Sequence, residues 1–346
     1  MDTRSLSRRQ VLIGTASGTT AAALLAALPR GAFAQDASPA ASPVAADTFP
    51  VTLPHVYGET VIESQPARVV TIGWSTQDAV IALGIDPVAM PRNDWGGDGE
   101  GFLPWTREAL GDRELPQLLD TTELPFEAIA GAAPDIILAP YSGITEDEYG
   151  LLSQIAPTVA YPEVAWGTSW QDVQLITGRA LGLSAEGEQL VADTEALIAA
   201  QTDQYPEIAG KTFIYGNMGD GTSSFNIYTT TDTRSLFLAS IGLEPSEFTK
   251  SVDELAGEAV YYAPISYEEA ASLEADVVVF WFTNQEEYDA ALEMPTFGQI
   301  PAVARGSFAP IIGEDLVMAS SAFSVLSIPY MIDAFIPTLA EAARNV

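Results

Sequence analysis

The sequence predicts an α/β protein of two lobes with mainly parallel sheets, joined by a single long α-helix. Three observations carry this. Short β-branched runs alternate with helix-like stretches along the body of the chain, the pattern of strands linked by crossover helices. A unit then recurs: Phe126-Glu127, AIAGAAP, Asp135 and Ile136-Ile137-Leu138 in one half, and Tyr267-Glu268, EAASLEA, Asp276 and Val277-Val278-Val279 in the other. The Glu-to-Asp spacing is eight residues in both copies. Upstream of each lies a second matched pair, Gly84-Ile85-Asp86-Pro87 and Gly242-Leu243-Glu244-Pro245. Two matches in the same order indicate two similar lobes. Finally, Ser169–Gln204 contains no proline and divides at Gly182-Leu183-Ser184, where a glycine stop meets a serine start. Its second piece, Ala185–Gln204, places Leu190, Val191, Thr194, Leu197 and Ile198 near helical spacing. Twenty helical residues extend about 30 Å, enough to cross between two lobes. An ordinary surface helix has the same periodicity, so that reading stays open.

The elements follow in order. Arg68–Gly73 (RVVTIG) reads as a strand, and Ser75–Leu83 as a helix with Ser75 or Thr76 near its N-cap. Asp86–Met90 is a second strand, Glu123–Ala132 a helix, Asp135–Ala139 a buried strand and Pro157–Tyr161 another. In the second half, Lys211–Tyr215, Asp276–Phe282 and Ser307–Ile312 read as strands. Thr233–Ile241, Tyr267–Leu273 and Glu286–Ala291 read as helices. The lobes are expected at residues 49–168 and 205–346, with 169–204 as the helical connector.

Composition removes several function classes. The 346 residues are 47% hydrophobic, enough for a substantial core. Zero cysteines exclude disulfides, thiolate metal sites, iron–sulfur clusters, a Cys nucleophile and a lipidated N-terminal Cys. A single histidine argues against a multi-His metal site, so no resident metal or cofactor is expected. A formal charge of −33 argues against nucleic acid or an anionic membrane as the main partner.

Residues 1–34 read as an export signal: Arg4, the run SRRQVLI with Arg8 and Arg9, a mildly apolar stretch Val11–Leu28, and the small-x-small site Ala32-Phe33-Ala34. The paired arginines resemble a twin-arginine signal, although Val11 and Ile13 depart from its usual residues. An ordinary secretory signal or an uncleaved anchor is the alternative. Residues 35–48, rich in Ala, Ser and Pro, read as a flexible tether. Removal of residues 1–34 would leave ten basic and 46 acidic residues, a net charge of −36. The expected location is the periplasm or cell exterior, tethered to the membrane if the signal is uncleaved.

Pro66–Met90 (PARVVTIGWSTQDAVIALGIDPVAM), Phe126–Ala139 (FEAIAGAAPDIILA), Trp170 with Gly178–Ser184 (GRALGLS) and Ile265–Glu268 (ISYE) together resemble the solute-binding proteins of ABC importers. The likeness is closest to the class with a rigid connecting helix, which handles ferric siderophores, haem and cobalamin. That resemblance implies two Rossmann-like lobes, no enzymatic activity, a small-molecule ligand, an ABC importer permease as partner and a monomeric mature chain. It also implies that one acidic residue on each lobe's rim pairs with permease arginines; the matching positions are Glu127 and Glu268. A carboxylate near a helix start also complements the helix dipole, so both could serve structure as well.

Ligands of open α/β sheets lie at the carboxyl ends of the strands. Loops at those ends carry Trp74 and Ser75, then Arg92, Trp95 and Trp105, then Tyr141 and Trp166. The second half contributes Met218, Phe225, Arg234, Trp281 and Phe282. Of these, Trp74, Arg92, Trp95, Tyr141, Arg234 and Trp281 are the expected ligand-binding residues, although strand-end aromatics are as often core caps. Flat apolar walls with few bases suit a neutral or cationic ferric hydroxamate better than an anionic tris-catecholate. A haem carrier would need an axial ligand such as Tyr141, with His55 poorly placed, and a cobalamin carrier is a further alternative. No GxSxG follows a strand, and Gly216–Gly221 lacks the GxGxxG order. Abundant carboxylates leave a secreted glycoside-acting enzyme as the rival class.

Overall fold

A computed structural model describes residues 47–219, 223–257 and 261–346. The export signal assigned to residues 1–34, most of the tether and part of Gly216–Gly221 lie outside the described residues. The chain opens with an antiparallel hairpin that the sequence reading did not identify, β1 (Val51–His55) and β2 (Gly58–Ile62). Then come β3 (Val69–Thr71), α1 (Thr76–Ala82), β4 (Ala89–Pro91), α2 (Pro104–Leu110) and β5 (Gln117–Leu119). The first half closes with α3 (Phe126–Gly131), β6 (Ile136–Leu138), α4 (Glu146–Leu152) and β7 (Thr158–Val159). Two helices follow, α5 (Trp170–Ala180) and α6 (Ser184–Thr202). The second half begins β8 (Thr212–Asn217), β9 (Ser224–Tyr228), α7 (Thr233–Ser240), β10 (Glu244–Pro245), α8 (Glu247–Ala256) and β11 (Tyr262–Ser266). It ends with β12 (Val277–Phe282), α9 (Gln285–Glu293), α10 (Pro301–Arg305), β13 (Phe308–Ile312), α11 (Glu314–Ala319) and α12 (Ser327–Ala343).

The strands form two separate main sheets, one per half. The first is all parallel in the order β5-β4-β3-β6-β7. The second runs β11-β9-β8-β12-β13, with β10 parallel to β8. It is mixed: β9 pairs antiparallel with both β8 and β11. The repeated sequence unit has a shared structural cause. In each lobe its strand pairs parallel with the central one, β6 with β3 and β12 with β8. Its aspartate then fastens the start of that central strand. Asp135 accepts from the Ala67 and Arg68 amides (2.8 and 2.9 Å), and Asp276 from the Thr212 amide (2.9 Å). Charged acceptors on backbone amides are among the stronger hydrogen bonds, which explains why this position is Asp twice. One expectation needs correction: Tyr267–Ser272 is a 3-10 helix, not an α-helix.

Among the described residues no strand passes between the two main sheets. The 19-residue α6, about 28 Å long at the usual helical rise, packs on α5 on one side and on α12 of the second lobe on the other. Val191, Thr194 and Ile198 are its buried stripe. Gly178 and Gly187 let α5 and α6 approach closely: a Cβ on Gly178 would sit 2.9 Å from the Leu183 carbonyl oxygen and 3.3 Å from the Gly187 Cα. The second lobe is filled by fully buried Phe213, Tyr215, Phe225, Phe280, Phe282 and Phe297. That lobe's core is not built from its own half alone. Leu103 and Trp105, from the first half, pack into the cluster of Phe237, Phe323 and Met331.

Candidate functional site

The carboxyl end of β3 builds the first wall. The strand stops at Thr71, and the chain turns through Gly73 so that the Trp74 amide reaches the Tyr141 carbonyl (3.0 Å) after β6. Gly73 has φ 88°, and a Cβ there would overlap that carbonyl. Only glycine meets both demands. Gly73→Ala should therefore cost at least about 1–3 kcal/mol, read as a lower midpoint in urea. It should also displace Trp74.

Trp74 is 41% exposed, unusual for so large an apolar side chain. Its ring centre lies 5.4 Å from that of Trp166, which in turn meets Tyr141 edge-on at 5.8 Å. Trp74 and Trp166 line a recess of about 320 Å³ whose other walls include Pro91, Asp120, Glu123 and Glu148. Among the described residues no Lys, Arg or His lines it.

The second wall is a hydrogen-bonded group at the ends of β8, β9 and β12. Tyr228 is its centre. Its hydroxyl accepts from Trp281 Nε1 (3.0 Å) and Asn217 Nδ2 (3.1 Å). With both acceptor positions used, its own hydrogen is the donor left for another oxygen. The Arg234 guanidinium lies over the Tyr228 ring, 4.3 Å from its centre. The same guanidinium is held by Asp232 (2.9 Å) and Ser321 Oγ (3.1 Å). Asp232 also caps α7 by accepting from the Arg234 amide at 2.9 Å. Asp232 and Tyr228 were missed in the sequence; the Asp-Thr-Arg helix start was the one local signal for the first.

Several contacts join the walls. Trp95, 40% exposed, meets Trp281 edge-on with ring centres 6.3 Å apart. Tyr141 Oη is 3.5 Å from Thr233 Oγ1, and the Tyr261 hydroxyl donates to the Ala165 carbonyl. The Gly96 amide donates to Glu314 of α11 at 3.3 Å. Thus Trp74 and Trp281 lie at strand ends, Trp95 and Tyr141 make contacts between the lobes, and Arg234 stands at the start of α7 within the second wall. Arg92 is turned onto its own loop, where Nε meets Asp94 at 2.6 Å and Nη1 the Glu100 carbonyl at 3.3 Å. Its charge is locally paired.

Three aromatics considered for the cleft are core instead. Phe225 and Phe282 have no exposure, and Trp105 is 3% exposed with its indole nitrogen 2.7 Å from Asp78. His55 sits in the first hairpin with both ring nitrogens used, by the Tyr57 amide and Thr60 Oγ1. Burial lowers its pKa, so it is neutral and has no free lone pair for a metal. Among the described residues no group of three or more His, Asp or Glu side chains could hold a metal ion.

Two α/β lobes, one sheet parallel and the other mixed, a bridging helix and aromatic walls that meet between the lobes are the architecture of a solute-binding protein. The chain belongs to the periplasmic binding protein family, whose model matches residues 69–311. It is 26% identical over 239 residues to YfiY, a probable siderophore-binding lipoprotein of Bacillus subtilis (strain 168), covering 68% of this chain and 70% of that one. It is also 26% identical over 211 residues to FecB, the Fe(3+) dicitrate-binding periplasmic protein of Escherichia coli (strain K12), covering 58% and 64%. Among solved structures it resembles Streptococcus pneumoniae PiaA in complex with ferrichrome, at 35% identity and TM-score 0.77, over 85% of this chain and 99% of that one. Proteins of this kind bind solutes for ABC importers and are not enzymes.

Proposed function

We propose that this protein captures a ferric hydroxamate siderophore between its lobes, outside the cytoplasm, and delivers it to an ABC importer. The observation that carries this reading is the likeness to the ferrichrome complex, which spans nearly that whole chain. The site agrees with it chemically. A neutral trihydroxamate needs apolar walls and a few donors to its oxygens. Trp74, Trp95 and Trp281 offer the walls, while the Tyr228 hydroxyl and Arg234 offer the donors. Catecholate or citrate chelates carry several negative charges, and the recess under Trp74 holds Asp120, Glu123 and Glu148 with no base. Export is supported by the signal-like residues 1–34 and by relatives named as periplasmic or lipoprotein.

Glu127 and Glu268 are the docking residues of this proposal. Both are exposed, and each is the second residue of the short helix that leads into the strand beside its lobe's central one. Neither touches the groups that form the cleft walls.

A thermal-shift screen of ferrichrome, a linear ferric trihydroxamate, a ferric tris-catecholate, ferric citrate, haem and cobalamin tests the ligand class. Ligand at a hundred times its Kd should stabilise the fold by about 2.7 kcal/mol, a rise of roughly 4–5 °C for a body of this size. The hydroxamates should give that rise. A shift only with citrate, catecholate, haem or cobalamin would overturn the hydroxamate assignment.

A further inference from the structure

Asp78, on α1, is completely buried, yet no Lys, Arg or His pairs with it among the described residues. Instead it accepts three side-chain hydrogen bonds of 2.7 Å each. Oδ1 takes Thr106 Oγ1, and Oδ2 takes Trp105 Nε1 and Ser324 Oγ. Two of these donors belong to α2 of the first lobe. The third lies 246 positions away, in the segment between α11 and α12 of the second lobe. The directions are forced. An indole nitrogen can only donate. Ser324 Oγ already accepts from the Leu326 and Ser327 amides (3.2 and 2.9 Å), so its single hydrogen must go to Asp78. Burial pushes the Asp78 carboxyl above the usual carboxylate range, against the pull of its three hydrogen bonds.

The segment that Asp78 holds leads directly to the cleft. Three residues before Ser324 stands Ser321, whose Oγ accepts from Arg234 Nε (3.1 Å) and whose carbonyl is 3.5 Å from Thr233 Oγ1. On the other side, α2 follows the loop that carries Trp95. The carboxylate thus joins the support of one cleft wall to the support of the other, in a region where Trp105 already packs into the second lobe's core.

We propose that Asp78 is a positioning residue that latches the two lobes through Ser324 and thereby sets Ser321 and Arg234 against the ligand. The effect on ligand binding rests on the siderophore reading above; the effect on lobe geometry does not. The chain has no cysteine, so spin labels can be placed cleanly on exposed Glu114→Cys and Asp289→Cys, one per lobe. Pulsed electron-electron spacing measurements then read the distance between lobes, and calorimetry with ferrichrome reads affinity.

Ser324→Ala should broaden the distance distribution and weaken ferrichrome binding at least about fivefold. Ser327→Ala is the matched control: it loosens the same turn, losing its bonds to the Ser324 amide and Ala322 carbonyl, without touching Asp78. It should leave distance and affinity within twofold of the parent. Asp78→Asn should also preserve both, since its carbonyl can accept from Trp105 and Ser324 while its amide donates to a rotated Thr106 hydroxyl. The latch is overturned if Ser324→Ala matches the parent, or if Ser327→Ala is as disruptive. It is equally overturned if Asp78→Ala, which removes the acceptor altogether, keeps the parent distribution and affinity, a result that stands even where Ser324→Ala does not fold. A parent that ignores ferrichrome sinks the ligand reading alone, because the distance arm still reads the latch.

Discussion

Cells that carry the cognate permease should lose ferric-hydroxamate uptake when Glu127→Arg and Glu268→Arg are combined. The purified double variant should still bind the chelate with unchanged affinity. Each reversal puts an arginine where an arginine of the permease is expected, replacing a charge-assisted pair by a repulsion that costs several kcal/mol at an interface. Every 1.4 kcal/mol is a tenfold loss of binding, so two such sites remove productive docking altogether. Folding should be spared, since both side chains are exposed. Each single variant should give an intermediate rate. Radioactive iron uptake beside calorimetry on purified protein checks the two halves. Normal uptake by the double variant through that permease would remove these residues from the docking surface.

The second large effect should come from Arg234→Ala, which strikes fold and ligand together. The Arg234 and Asp232 side chains are 13% and 6% exposed, so deletion of the cation strands a buried carboxylate. Breaking such a pair on one side costs about 3–5 kcal/mol, roughly 5–8 °C in melting temperature for a body of this size. The stack on Tyr228 and the bond to Ser321 disappear as well. Ferrichrome affinity should fall at least tenfold. Arg234→Lys should recover much of the stability but less of the affinity, because an ammonium lacks the planar fork that reaches Asp232 and Ser321 together. Urea unfolding and calorimetry on both variants separate these contributions. Equal affinity in parent, Lys and Ala forms would exclude Arg234 from ligand contact.

Much of this architecture was legible locally. The apolar runs became strands because a buried parallel sheet demands continuous Val, Ile and Leu, and β6 and β12 are both buried on nearly every residue. The repeat was legible because one task, fastening the central strand through Asp135 or Asp276, is solved the same way twice. The connecting helix announced itself through its glycine stop and its spacing. The hairpin β1–β2 and strands β9 and β11 were not identified, since buried residues alternate with more exposed ones along them instead of forming a continuous apolar run.

For the site, sequence determined the inventory: tryptophans near strand ends and few bases. It could not determine which aromatics face the cleft. Phe225 and Trp95 look alike as loop-edge aromatics, yet one is enclosed by Tyr267, Phe280 and Phe297 while the other lies 40% exposed against Trp281. Nor could it assign Trp105, which the chain order places in the first lobe and the packing places in the second lobe's core. The Asp78–Ser324 bond spans 246 positions and has no local signature. Periodicity records how a segment meets its nearest neighbours, because that geometry repeats along the chain. Contacts between lobes arise only after two finished surfaces meet, and they depend on shape and unpaired donors that no single segment contains.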